Sequence, residues 1–339
     1  MIKKYGKYID MRNINRDINK MKDMIEGVRK SSEENRTPYN SETRYKCRIC
    51  NHDDYELYLN IHGYQYCECK NCQSVFLANL PNVKKLYEGI PDTPIGHFLD
   101  KEIFKKRVEM IAQPKVDFVA DVSREIGFSI NQWLDIGCGV GETLCALKTS
   151  KGSYSVIGIE SDLREISFAR EENDLEIIEG YIDYKNRNNE IESAIKNSSV
   201  VSFFNVLEHV EEPGEFIDYI YRHMAKGALL VFEVPMHPSL ASFANLTANG
   251  NIFRHILPPI HLYVFSYKAA GMLLENKFEL LATWGFGQGF SDIINNAVIN
   301  SGIENSDLYN QILNVTNEIQ KTIDENNLSD QMLFIARKI

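Results

Sequence analysis

A chain of 339 residues that is 44% hydrophobic and 25% charged reads as an ordinary globular protein with enough apolar material for a large core, and its length suggests two domains. Its net charge of -10 argues against broad binding to phosphate backbones, which needs clustered Lys and Arg. The opening stretch MIKKYGKYIDMRNINRDINKMKDMIEG has no apolar core of signal-peptide length, and no stretch reaches about 18 uninterrupted apolar residues. The expectation is a cytoplasmic protein without a membrane span, where reduced, clustered thiols favour metal over disulfides.

Residues 1–44 are polar, with Met11, Ile14, Ile18, Met21 and Ile25 at helical spacing, and SSEENRTPYNSE reads as a linker; a partly helical or mobile arm is expected. Residues 45–80 hold five of the seven cysteines. Cys47, Cys50, Cys69 and Cys72 form a Cys-x2-Cys, x18, Cys-x2-Cys pattern, in which two knuckles flank a hairpin-sized span. That spacing sets four sulfurs around one Zn2+ and leaves no open position, so the metal organises a small module and performs no chemistry. Disulfides or inert thiols are the alternatives. Tyr55, Leu57, Leu59 and Ile61 alternate as a hairpin strand would, and Cys67 is left as a spare thiol. Residues 81–128 read as a helical connector after GIPDTPIG, with Pro114 as a break.

From about residue 129 to the end, short apolar runs (WLDIG, VIGIE, LEII, VVSFFNV, ALLVFEV) alternate with amphipathic stretches such as PGEFIDYIYRHM. Alternating strands and helices mean βαβ units and a parallel sheet. FELLATW and QMLFIARKI read as two final strands, with a helix-prone insertion at about 287–328 between them.

WLDIGCGVGETL follows the first of these strands and opens a helix. Gly137, Gly139 and Gly141 allow a tight turn that a ligand can approach, and the helix beyond presents free N–H groups. The spacing is G-x-G-x-G, one residue short of the dinucleotide fingerprint. Glu160 ends the next strand about 20 residues on, where a carboxylate can accept both hydroxyls of a ribose.

This stretch resembles class I S-adenosylmethionine-dependent methyltransferases. The resemblance extends through VVSFFNVLEHVEEPGEFIDYIYRHMAKGALLVFEVP and HLYVFSYKAAGMLLENKFELL, and to a bacterial subgroup with an N-terminal zinc-ribbon-like module similar to CRIC…GYQYCECKNCQSVFLANLP. It covers roughly residues 45–339. It implies a Rossmann-like, mostly parallel sheet with an antiparallel last strand and helices on both faces. It also implies S-adenosylmethionine as cofactor, with Asp135, Gly137, Cys138 and Gly139 on its methionine and ribose side. Glu160 would grip the ribose beside Ser161, and Asn205 and Leu207 would form the floor near the methyl group. Near adenine, where the family often has an acidic residue, this chain has Tyr181 and Ile182, with Asp183 slightly late.

Methyl transfer from a sulfonium is an in-line displacement that needs alignment and exclusion of water, and a nucleophile carrying a proton needs a base. His209 in NVLEHV and His261 in PPIHLYVFS are the candidate bases, with Glu208 placed to orient His209; a histidine near neutral pKa suits proton removal from a hydroxyl. His237, after the fifth strand, is a candidate for the acceptor pocket, and Tyr87 for an aromatic covering the cofactor. The expected acceptor is a small molecule, sugar or glycan precursor. A nucleic-acid methyltransferase gripping RNA or DNA through the zinc module, and a non-catalytic cofactor-binding protein, are the competing readings.

Overall fold

The computed structural model describes residues 1–6, 26–27, 29–30, 33–34, 36–80, 99–150, 154–247, 255–302 and 307–339. The helix expected from Met11 to Ile25 and the residue Tyr87 lie outside these. In chain order, strand β1 (Ile2–Tyr5) is followed by β2 (Tyr55–Ile61), β3 (Tyr64–Cys69) and β4 (Val75–Leu77). Helices α1 (Lys101–Arg107) and α2 (Gln113–Glu125) flank a π-helical turn and lead into β5 (Gln132–Ile136). The alternating region then runs α3 (Glu142–Thr149), β6 (Ser155–Glu160), α4 (Leu163–Asn173), β7 (Ile177–Glu179), α5 (Asn189–Asn197), β8 (Val200–Phe204), α6 (Pro213–His223) and β9 (Leu229–Pro235). After α7 (Leu240–Thr247), β10 (Tyr263–Val264), α8 (Tyr267–Leu274) and β11 (Phe278–Phe286) come α9 (Gly289–Ser301), α10 (Asp307–Leu313), α11 (Thr316–Glu325) and the last strand, β12 (Gln331–Lys338).

Eight strands form the main sheet in the order β1-β11-β12-β9-β8-β5-β6-β7. β7, β6, β5, β8 and β9 are parallel, and β12 runs antiparallel to both β9 and β11. This is the Rossmann-like methyltransferase sheet with its reversed last strand. β9 is buried at every position because helices cover both faces, so its sequence is one apolar run broken only by Glu233. Side chains alternate between two cores. Leu134, Ile136, Phe203, Phe232 and Phe334 fill one face, and Trp133, Val200, Leu229, Val231 and Leu333 fill the other. The register sets Phe334 opposite Phe232, and their rings stack at 4.8 Å. α6 begins with Pro213 in its first turn and buries Phe216, Ile217, Tyr219 and Ile220, three and four residues apart.

Ile2–Tyr5, read from the sequence as part of a polar arm, instead adds an edge strand parallel to β11. Two lysines in four residues hid it, but Lys4 Nζ lies 3.7 Å above the Trp284 ring, whose indole N–H donates to the Gly6 carbonyl at 2.9 Å.

The cysteine-rich segment builds a second sheet, β10-β4-β3-β2, whose fourth strand comes from beyond β9. The expected alternation in β2 is interrupted by a register shift between Leu57 and Leu59, which leaves Leu57 59% exposed. Leu77 N–H donates to the Leu262 carbonyl at 2.8 Å, and the Tyr66 hydroxyl donates to the His261 carbonyl at 2.9 Å. The module is therefore joined to the larger domain by a shared sheet. Among the described residues no helix is long and apolar enough to cross a membrane.

Candidate active site

The chain order through the main sheet runs outward from β5 to β7 on one side and from β8 to β9 on the other. The crevice at the carboxyl ends of β5 and β8 is thus the topological switch point, where open α/β sheets bind ligands. The glycine turn follows β5 and Asn205 follows β8, so both fall there by connectivity alone.

Gly137 has φ +66°, and a Cβ there would sit 2.7 Å from Val206 Cγ2, so the turn closes against the segment after β8 only because no side chain intervenes. The Gly137 and Cys138 amides donate to the Ile159 carbonyl at 2.8 and 3.1 Å, which ties the turn to β6. Cys138 is buried, with its thiol against Gly158. Glu160 binds the turn directly. Its Oε2 accepts from Gly139 N–H at 2.9 Å, and its Oε1 accepts from the Ser161 and Asp162 amides at 2.6 and 2.9 Å.

Asp135 lies under the turn rather than in the open crevice. It is 2% exposed and accepts the Ser202 hydroxyl at 2.6 Å, and Ser202 in turn accepts the Trp133 indole N–H at 2.7 Å. Burial pushes its carboxyl up to about 7, against the opposing pull of the Ser202 and Thr143 hydroxyls. Leu207 is fully buried, and Tyr181 is 65% exposed beside a buried Ile182. Asn205 adopts φ +54°, a left-handed conformation that Asn tolerates, and its amide and side chain both donate to Glu233, at 3.0 and 3.3 Å. Ser161 stays on the exposed rim.

Glu208, His209 and His261 come together across 52 residues of chain, with ligand atoms all within 4.8 Å of one another. The 3-10 turn Leu207–His209 is stitched to the later segment by Leu262 N–H donating to the Glu208 carbonyl at 2.8 Å. Burial pushes His209 down to about 4 and His261 well below its ordinary value. Both are weaker bases than the near-neutral imidazole expected from residue type. Burial raises the Glu208 carboxyl to about 8. His237 sits apart from this trio. Its Nδ1 faces Ser242 Oγ at 2.9 Å and its Nε2 faces Glu68 of the cysteine module at 3.5 Å.

Two buried groups escaped the sequence reading. Lys115 pairs with Glu233 at 2.5 Å under β8 and β9; a lone Lys on the apolar face of α2, beside Val116 and Val119, was the available signal. Glu165, on α4, faces Gly139 and Glu160, and burial with the Glu160 charge pushes its carboxyl up to about 8.

The four cysteine sulfurs lie within 4.8 Å of one another, with Cys47 to Cys72 and Cys50 to Cys69 both at 3.5 Å. Tetrahedral Zn–S bonds of about 2.3 Å give an edge of roughly 3.8 Å, so the quartet has the size of a zinc cage. Burial pushes the Cys69 thiol up to about 11.

The family signature described as "Methyltransferase domain" matches residues 96–280, which is more than half of the chain. The chain belongs to this methyltransferase family. It is an S-adenosylmethionine-dependent enzyme of the class I type, as the glycine turn and the reversed last strand anticipated. Among curated proteins, the mitochondrial ubiquinone biosynthesis O-methyltransferase of Schizosaccharomyces pombe is 25% identical over 160 residues, which is 47% of this chain and 57% of that protein. The match thus spans little more than half the length of that relative. A SAM-dependent methyltransferase from Archaeoglobus fulgidus is 19% identical over 70% of this chain and all of that one, with a TM-score of 0.43. The plantazolicin methyltransferase BpumL, solved with SAH, is 14% identical over 76% of this chain and 94% of that one, with a TM-score of 0.45.

Proposed function

We propose that this methyltransferase acts on a hydroxyl of a small molecule, sugar or glycan precursor. The observation that carries the reading is the pairing of Glu208 with two neutral imidazoles just beyond the end of β8, in the crevice that also holds the glycine turn. Such a group suits an acceptor that must be oriented and relieved of a proton. The relative from Schizosaccharomyces pombe is an O-methyltransferase by name, which agrees with oxygen as the acceptor atom.

Bound S-adenosylmethionine supplies an electrophilic methyl group on a sulfonium. The chain's part is to hold and orient it. Gly137, Cys138 and Gly139 give a backbone cradle, with Asp135 fixing the end of β5 beneath. Glu160, beside Ser161, presents a carboxylate to the ribose; it already accepts N–H groups from the turn, so it can exchange these for hydroxyls. Tyr181 offers an exposed ring on the adenine side, and Asn205 and Leu207 shape the floor. His209 and His261 are the groups to take the acceptor proton, with Glu208 orienting them. Their depressed pKa values keep both rings unprotonated at neutral pH. Cys47, Cys50, Cys69 and Cys72 hold one structural Zn2+, whose module fixes the His261 segment through Tyr66 and the shared sheet.

The nucleic-acid reading has less support. Of the basic residues in the module, Arg48 is paired with Glu212, and Lys70 with Glu56 at 2.5 Å, so neither guanidinium nor ammonium is left for phosphate. The deciding experiment incubates the protein with methyl-labelled S-adenosylmethionine plus host metabolite, glycan and RNA fractions. Label in a hydroxyl-bearing small molecule or glycan is expected, and label in RNA alone overturns the proposal.

A further inference from the structure

We propose that Glu208, His209 and His261 form a second metal site, separate from the thiol quartet, that binds a divalent transition-metal cation and offers its open positions to the acceptor's oxygen. The inference rests on the hydroxyl reading for its ligand but not for its metal.

Three observations carry it. Glu208 is fully buried, and neither of its carboxylate oxygens has a hydrogen-bond partner. A buried carboxylate without a partner is costly, and a cation is the group that repays it. Next, His209 Nδ1 lies 3.1 Å from the Ile260 carbonyl and His261 Nδ1 lies 2.9 Å from the His255 carbonyl. A carbonyl only accepts, so each Nδ1 carries the ring's proton, and each neutral ring keeps its lone pair on Nε2. This is how metal-binding histidines are held: one ring nitrogen donates to a fixed oxygen and the other faces the ion. Finally, the three ligand atoms converge within 4.8 Å although they come from two segments, which Leu262 N–H holds in register through the Glu208 carbonyl. The 4.8 Å span is an outer bound that a cation would shorten toward the roughly 3.4 Å ligand spacing set by bonds of about 2.1 Å. Two imidazoles and one carboxylate suit zinc, iron, manganese or cobalt rather than magnesium, and three protein ligands leave room for a substrate oxygen.

The test uses the full chain. Elemental analysis after saturation with Zn2+ and gel filtration is expected to give about two metals per chain, one in each site. Glu208→Gln and His261→Asn, both close in shape to the native side chains, should each lower the count by one while calorimetric binding of S-adenosylmethionine changes less than about twofold. Co2+ added to protein whose thiol site is already zinc-filled should give visible ligand-field bands without thiolate charge-transfer absorption, and His261→Asn should abolish them. One metal per chain in the unmodified protein, or cobalt bands unchanged in both variants, overturns the proposal. If the second ion binds but no hydroxyl acceptor takes label, the metal site stands and the acceptor class is wrong. If hydroxyl acceptors take label and only one metal is found, the acceptor class stands and the metal site is wrong.

Discussion

Replacing Glu160 by Gln probes the cofactor cradle most directly. The carboxylate accepts three backbone N–H groups, one from Gly139 and two from the start of the segment before α4. The amide keeps one acceptor oxygen and turns the other into a donor, so either the Gly139 contact or the Ser161–Asp162 pair is lost and faces an N–H group instead. A hydrogen bond to a charged acceptor contributes about 1.5–3 kcal/mol, and the half-buried position lowers that toward the bottom of the range. The ribose hydroxyls lose the same acceptor. The expected loss of affinity for S-adenosylmethionine is about 1–3 kcal/mol, or roughly 5- to 150-fold in Kd. Folding should change by less than about 1 kcal/mol, a Tm shift under roughly 3 °C, because the strand pairing of β6 is untouched. Titration calorimetry measures the first quantity and thermal unfolding the second, with the exposed Glu171→Gln as control. An unchanged Kd with an unchanged Tm would refute the placement of the ribose at Glu160.

Gly137→Ala should weaken cofactor binding at least about tenfold, because αL backbone costs roughly 1–2 kcal/mol for a side chain and the new Cβ meets Val206 at 2.7 Å. Adding Val206→Ala removes the clash but not the backbone cost, so calorimetry should find partial recovery; full recovery would assign the whole effect to packing. Cys69→Ser should lower bound zinc by one ion per chain and lower the Tm, read by elemental analysis and calorimetry, and retention of the ion would place it elsewhere. Asp135 has a folded pKa of about 7 against roughly 3.9 when unfolded, so the unfolded state binds fewer protons between those values. Its contribution is fully present below about pH 4 and is lost as pH rises to about 7, by at most about 1.4 kcal/mol per unit. Stability of the native chain relative to Asp135→Asn, from urea unfolding at several pH values, should therefore fall from pH 5 to pH 7 and then level off. A difference independent of pH would show that Asp135 is ionised throughout.

The sequence by itself determined the local features whose physics is local. Cys-x2-Cys knuckles, a glycine turn between strand and helix, and apolar runs spaced by amphipathic stretches each depend on residues a few positions apart. From them followed the fold class, the cysteine quartet and the position of Glu160 at a strand end. The tertiary structure decided what depends on residues far apart in the chain. It decided that Lys3 and Lys4 sit in an edge strand, because Trp284, some 280 residues later, offers the ring and the indole donor. It decided that the cysteine sheet is completed by Tyr263–Val264, so that the module and the His261 segment form one unit. Burial also decided the proton affinities. Asp135 and Glu208 read from sequence as ordinary carboxylates, and His209 as a near-neutral base, but the water withheld from each by distant packing raised the acids and lowered the base. Residue type sets what a group can do, and the desolvation imposed by the assembled fold sets the pH at which it does so.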